Sequence, residues 1–183
     1  MNIGSVDGTM KLFQLSGKRL LQTFVHCVPQ ANAGAMQTIR EGEDDMDAET
    51  TDGQTETFSV ECVGFATHGA RWVASGGMDS TLKVWDLDFG TCRCTCLHTS
   101  TVTHLQWHAS SPMITTSTVS GNICIWDARA GLQLAELTGH RGQVTYFASR
   151  SVQLPSGGNR EVIATASDDK SCRVFLVDAK GLL

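Results

Sequence analysis

The sequence predicts an all-β fold built from four-stranded antiparallel sheets, and three observations carry that prediction. Apolar and polar side chains alternate at period two in many short segments, the mark of half-buried strands and not of a helix, whose pattern repeats every 3.6 residues. Charged residues are only 18% of the 183-residue, 19.7 kDa chain while glycine alone numbers 18, a balance that favours tight turns and short strands over long surface helices. One pattern of turn residue, alternating side chains and terminal aromatic recurs four times, and a chain of this size is served by a single hydrophobic core.

Taken in order, Asp7-Gly-Thr-Met-Lys-Leu-Phe13 and Arg19 to Phe24 read as two strands, so residues 4–26 are expected to supply the last two strands of a unit. Residues 27–57 interrupt the pattern. Between 41 and 56 this insertion holds Glu41, Glu43, Asp44, Asp45, Asp47, Glu49, Asp52 and Glu56 with no basic residue, and polar, acidic, aromatic-poor composition predicts disorder. The rest of the chain carries 14 basic against 11 acidic side chains, so the net charge of -5 resides in this one segment. Residues 58–98 then give a full set of four strands: Val60 to Phe65, Trp72 to Gly77, Asp79 to Trp85 and Thr91 to Cys96. Residues 99–140 give another: Val102 to Trp107, Ile114 to Thr118, Ser120 to Trp126 and Gln133 to Leu137. Helix propensity favours a turn of helix at the last of these, but its place in the repeat overrides propensity. Residues 141–178 give three, Val144 to Ala148, Val162 to Ser167 and Asp169 to Phe175, and no outer strand. The terminal aromatics Phe13, Trp85, Trp126 and Phe175 stand 72, 41 and 49 residues apart, a unit of about 41 residues, in the range of propeller repeats.

Several chemistries lack their residues. Gly17-Lys18 has no upstream glycine of a phosphate-binding loop, and no Gly-x-Ser-x-Gly, His-Glu-x-x-His or Cys-x-x-Cys pattern occurs. His68, His104 and His108 are scattered and read as ordinary loop or strand histidines. Cys92-x-Cys94-x-Cys96-x-His98 would share one strand face, but residues in line along a strand are spaced by roughly 6 Å or more, too far for three to close on zinc. Asp44-Asp45-Met46-Asp47 lacks the glycine-spaced order of an EF-hand loop. The expectation is therefore no catalytic residue, no metal and no cofactor. An acidic segment without clustered Lys or Arg argues against nucleic acid and for a basic protein partner. Seven cysteines, an odd number, and a start with neither basic nor apolar leader suggest free thiols in a reducing compartment, no membrane association, and a cytoplasmic protein with the nucleus as second location.

Trp85-Asp86, Trp126-Asp127 and Gly139-His140 in this repeat resemble the WD40 family. The resemblance implies blades of a β-propeller, here about three to four of them, the C-terminal half of a ring of seven. It leaves open blade faces for missing blades or for self-association. It also implies a buried hydrogen-bonded network of a His before the first strand, a Ser or Thr on the second, an Asp at the next turn and a Trp on the third. Carried onto this chain, the network is degenerate in each of the last three repeats: Ser75, Asp79 and Trp85 with Glu56 where His belongs; His98, Thr116 and Trp126 with Ser120 for Asp; His140, Thr165 and Asp169 with Phe175 for Trp.

The order of landmarks resembles, within WD40 proteins, the angio-associated migratory cell protein group, which includes a yeast ribosome-assembly chaperone. These landmarks are the acidic insertion, Val60-Glu-Cys-Val-Gly-Phe65, Cys96-x-His98 and Ile125-Trp-Asp-Ala-Arg129. That resemblance implies a non-enzymatic scaffold whose acidic top surface chaperones a basic large-subunit ribosomal protein; the charge of the insertion makes Glu41, Glu43, Asp44, Asp45, Asp47 and Glu49 the residues expected to meet a basic partner. Trp126-Asp127-Ala128-Arg129 is also similar to the box by which WD40 substrate receptors dock on a cullin ubiquitin ligase adaptor, with Arg129 as the docking residue. A generic signalling scaffold is the remaining alternative.

Overall fold

The computed structural model describes residues 2–27, 58–154 and 158–178. The acidic residues Glu41, Glu43, Asp44, Asp45, Asp47 and Glu49 lie outside the described residues. All regular elements described are strands, in four antiparallel sheets. The first sheet holds β1 (Asn2–Gly4), β2 (Thr9–Gln14) and β3 (Arg19–Val25). The second runs β4 (Val60–Phe65), β5 (Trp72–Gly77), β6 (Thr81–Asp86) and β7 (Thr91–Leu97). The third runs β8 (Val102–Trp107), β9 (Met113–Thr118), β10 (Ile123–Asp127) and β11 (Leu132–Leu137). The fourth holds β12 (Val144–Leu154), β13 (Gly158–Ser167) and β14 (Cys172–Asp178).

Two features differ from the sequence reading. Residues 4–26 were expected to carry two strands, yet β1 adds a third, paired from Asn2↔Leu12 to Gly4↔Met10. Three residues are too few to show alternation. The β12–β13 hairpin also runs longer than expected, because pairing continues past the sheet to Leu154↔Gly158.

The recurring turn residue has a local cause. Asp7, Asp79 and Asp169 each accept, through Oδ1, the backbone N–H two residues on: Thr9 at 2.9 Å, Thr81 at 3.0 Å and Ser171 at 2.9 Å. This closes a tight turn whose middle residue is left-handed: Gly8, Ser80 and Lys170 have φ of 74°, 62° and 66°.

Alternation then builds the core between sheets. Met10 and Phe24 of the first sheet pack on Val73 and Trp85 of the second. Leu82, Val84 and Cys96 on the opposite face of the second meet Val102, Leu105 and Trp107 of the third. Ile123 and Ile125 meet Val144, Phe147 and Ile163 of the fourth. Four sheets with three buried seams form an open arc of propeller blades. On the fourth sheet the face that would continue the arc leaves Val174 and Leu176 68% and 52% exposed.

Candidate functional site

One rim of the arc, where the second strand of each sheet turns into the third, carries a series of buried polar side chains. In the second sheet Ser75 is wholly buried on β5 and joins two groups: Trp85 Nε1–H donates to Ser75 Oγ at 2.8 Å, and His26 Nδ1 lies 2.6 Å from the same oxygen. His26 Nε2 is 3.2 Å from Asp79 Oδ1, and Thr81 Oγ1–H donates to Asp79 at 2.9 Å. The four-residue network is therefore complete, which corrects the expectation that Glu56 stands at the histidine position. The histidine comes from the end of β3, ahead of the insertion. A signal was present in the sequence, since Phe24-Val-His26 has the same outer-strand spacing as Cys96-Leu-His98.

The other two networks each lack one member. In the third sheet His98 Nε2 is 2.8 Å from Thr116 Oγ1, and Trp126 Nε1–H is shared between His98 Nε2 at 3.1 Å and Thr116 Oγ1 at 3.2 Å. Ser120 occupies the aspartate position and bonds Ser100 and Thr118 instead. Accordingly His98 Nδ1 is buried without a hydrogen-bond partner, and burial pushes the imidazole down to about 4. In the fourth sheet His140 Nδ1 is 2.8 Å from Asp169 Oδ2 and Nε2 is 2.7 Å from Thr165 Oγ1. Phe175 has no N–H to offer there. Bonds from Ser171 and His140 hold the Asp169 carboxyl far below the usual carboxylate range. For Asp79, burial works in the opposite direction, and bonds from His26, Cys27 and Thr81 outweigh it.

The root of the insertion lies beside the second network. His26 N–H and Cys27 N–H both donate to Gly8 O, at 2.9 and 3.2 Å. A Cβ on Gly8 would stand 3.2 Å from Phe58 O and 3.3 Å from Cys27 Cβ, so the chain leaves at Cys27 and returns at Phe58 around one glycine. In the fourth sheet the backbone N–H of Arg141, the residue after the histidine, bonds Asp169 Oδ2 at 3.1 Å. In the second, the Cys27 thiol takes that place, donating to Asp79 Oδ2 at 3.1 Å. His26, Cys27 and Asp79 thus present three metal-ligating atoms within 4.8 Å of one another. Sequence spacing hid this group, because Asp79 is 52 residues beyond Cys27.

Arg129 sits at the opposite end of β10, 60% exposed. It folds back on Asp127: Nε–H donates to Oδ1 at 3.0 Å and Nη2–H to Oδ2 at 2.8 Å. Of the cysteines at 92 to 96, Cys92 is exposed, Cys94 donates to Ala128 O of the next sheet at 3.4 Å, and Cys96 is buried in the seam. The three remaining histidines have structural neighbours. His68 stacks on Trp72 and Trp107, His104 on Tyr146 and Phe147, and His108 Nε2 is 2.8 Å from Thr115 Oγ1.

Known proteins share this architecture. A solved structure of Saccharomyces cerevisiae Sqt1 superposes with a TM-score of 0.73 at 17% identity, covering 96% of this chain and 41% of that one. The human angio-associated migratory cell protein is 29% identical over 95% of this chain, and the Arabidopsis thaliana autophagy-related protein 16 is 34% identical over 65%. This chain spans only 35% and 22% of those two relatives. The WD domain, G-beta repeat family model matches residues 49–86, 90–127 and 131–175. With the network geometry and the blade arc, these matches make the chain a member of the WD40 repeat family.

Proposed function

We propose that this chain is a binding platform without chemistry of its own, which captures a Lys/Arg-rich segment of a protein client and acts as a chaperone for a basic large-subunit ribosomal protein. The observation that carries this reading is charge placement: eight acidic and no basic residues between 41 and 56, against a net positive remainder. Opposite charge concentrated in one segment raises the encounter rate with a basic partner and fixes its register more than it adds affinity. The two residues that flank that segment, Cys27 and Phe58, meet at Gly8 on the rim. Similarity to the angio-associated migratory cell protein and to a protein named for ribosome biogenesis, the WDR12 homolog of rice at 26% identity, points the same way. A cytoplasmic protein that accompanies its client to the nucleus fits this role.

The test is titration calorimetry of a Lys/Arg-rich peptide, the N-terminal segment of a candidate ribosomal protein, into the full chain and into a variant with 41–56 replaced by Gly and Ser. Binding that weakens with added salt and drops in the replaced variant is the expected result. Equal affinity in both versions would remove the acidic segment from the site, and no heat with any basic peptide would end the reading.

A further inference from the structure

We propose that His26, Cys27 and Asp79 form a binding site for a thiophilic divalent cation of the zinc class, seated where the insertion leaves the rim. Cys27 Sγ is 3.1 Å from Asp79 Oδ2, and His26 Nε2 is 3.2 Å from Asp79 Oδ1. In a tetrahedron with metal bonds of about 2.0 to 2.3 Å, neighbouring ligand atoms stand about 3.3 to 3.8 Å apart. The two hydrogen-bonded pairs, through different oxygens of Asp79, are already close to that spacing, and one ligand atom from each of the three residues lies within 4.8 Å of the others, so a cation would draw the set together and replace those hydrogen bonds.

The surroundings are those of a held ligand set. His26 is fully buried, and Ser75 Oγ, 2.6 Å from Nδ1 and itself fixed by the Trp85 N–H, orients the ring with Nε2 toward Asp79. Metal-bound histidines are supported in this way through their second nitrogen. Thr81 Oγ1, 3.1 Å from His26 Nε2 and 2.9 Å from Asp79, is placed as a neutral fourth donor.

Charge also matches. The Cys27 thiol donates its proton to Asp79 Oδ2, so a cation must displace that proton. One proton then leaves to solvent. The imidazole N–H relocates to Nδ1, facing Ser75 Oγ, and thiolate and carboxylate together balance the two positive charges. The nearby Lys83 ammonium is occupied, donating to His26 O at 2.6 Å. The fourth sheet has no such site, because a backbone N–H replaces the thiol at Asp169.

The test is titration of the reduced full chain with Co²⁺, then competition with Zn²⁺. The expected result is a near-ultraviolet thiolate-to-cobalt charge-transfer band that Zn²⁺ abolishes. Cys27→Ser, which keeps a hydroxyl for Asp79 and is checked for native circular dichroism, loses the band. Its zinc affinity falls more than about 100-fold, beyond the range for losing a supporting residue. The C94A/C96A double variant keeps the band. Absence of the band, or its persistence in Cys27→Ser, would overturn the assignment.

Discussion

Replacing Ser75 by Ala isolates what the buried network contributes to the second blade. Ser75 Oγ is wholly buried and serves two partners, Trp85 Nε1–H at 2.8 Å and His26 Nδ1 at 2.6 Å. Alanine removes the oxygen and leaves both groups buried without it, each at a cost of about 1 to 3 kcal/mol. Because the two losses share one atom they do not add fully, and the expected cost is about 2 to 4 kcal/mol. The internal control is Thr165→Val in the fourth blade. There the indole is replaced by Phe175, so among the network side chains only His140 Nε2, at 2.7 Å, loses its partner, for about 1 to 2 kcal/mol. Urea unfolding followed by far-ultraviolet circular dichroism gives both numbers, and Trp85→Phe with the S75A/W85F double variant gives the indole coupling. A Ser75→Ala cost below about 1 kcal/mol, or one no larger than that of Thr165→Val, would refute the claim that the serine is the hub.

Two further outcomes follow from the seams and the orphaned nitrogen. Gly76→Ala places a Cβ 2.7 Å from Val102 Cγ1 and 2.8 Å from Cys62 Sγ; overpacking of this kind costs about 1 to 3 kcal/mol, whereas Ala166→Gly, at the matching exposed position of the fourth blade, changes a urea midpoint little. His98 is held neutral by burial, down to about 4 against an ordinary 6.5, so its contribution is complete above pH 6.5 and is lost as pH falls toward 4. Ser120→Asp gives Nδ1 the partner that His140 has in Asp169. It should raise the His98 pKa in an NMR titration and flatten the acid-side loss of stability; an unshifted His98 would place the new carboxylate elsewhere.

Most of the fold was legible because period-two alternation and the turn aspartates act locally. Leu82, Val84, Ile123 and Ile125 announce their strands, and Asp79 and Asp169 close turns through their own nearby backbone. What escaped were contacts whose partners are distant or whose pattern is too short. β1 has three residues and no room for alternation. His26 escapes the repeat spacing because the insertion stands between it and β4 and leaves Glu56 near the histidine position. The Cys27 thiol was illegible for a deeper reason. Its role depends on the main chain turning away after His26, so that a side chain and not a backbone N–H reaches Asp79.

The seams show that the blades are not interchangeable copies. Between the second and third blades, Gly64 and Gly76 admit Leu105 and Val102 to distances no Cβ would permit, 2.7 Å in each case. Between the third and fourth, polar side chains add to the apolar contact: Thr103 Oγ1–H reaches Val144 O at 2.9 Å, and Gln106 Oε1 accepts from Ser149 N–H at 3.0 Å. On the fourth blade the positions matching Gly64 and Gly76 are Ala148 and Ala166, both exposed. A glycine-lined face selects a close apolar neighbour, and a face bearing Thr103 and Gln106 selects one with a backbone carbonyl and a backbone N–H in register. Blade order is thereby written into the seams independently of the histidine networks. Those networks hold strands, and the second also borders an edge of its sheet at the start of the insertion. The rim at Gly8, where residues 28–57 depart beside His26, Cys27 and Asp79, is that edge.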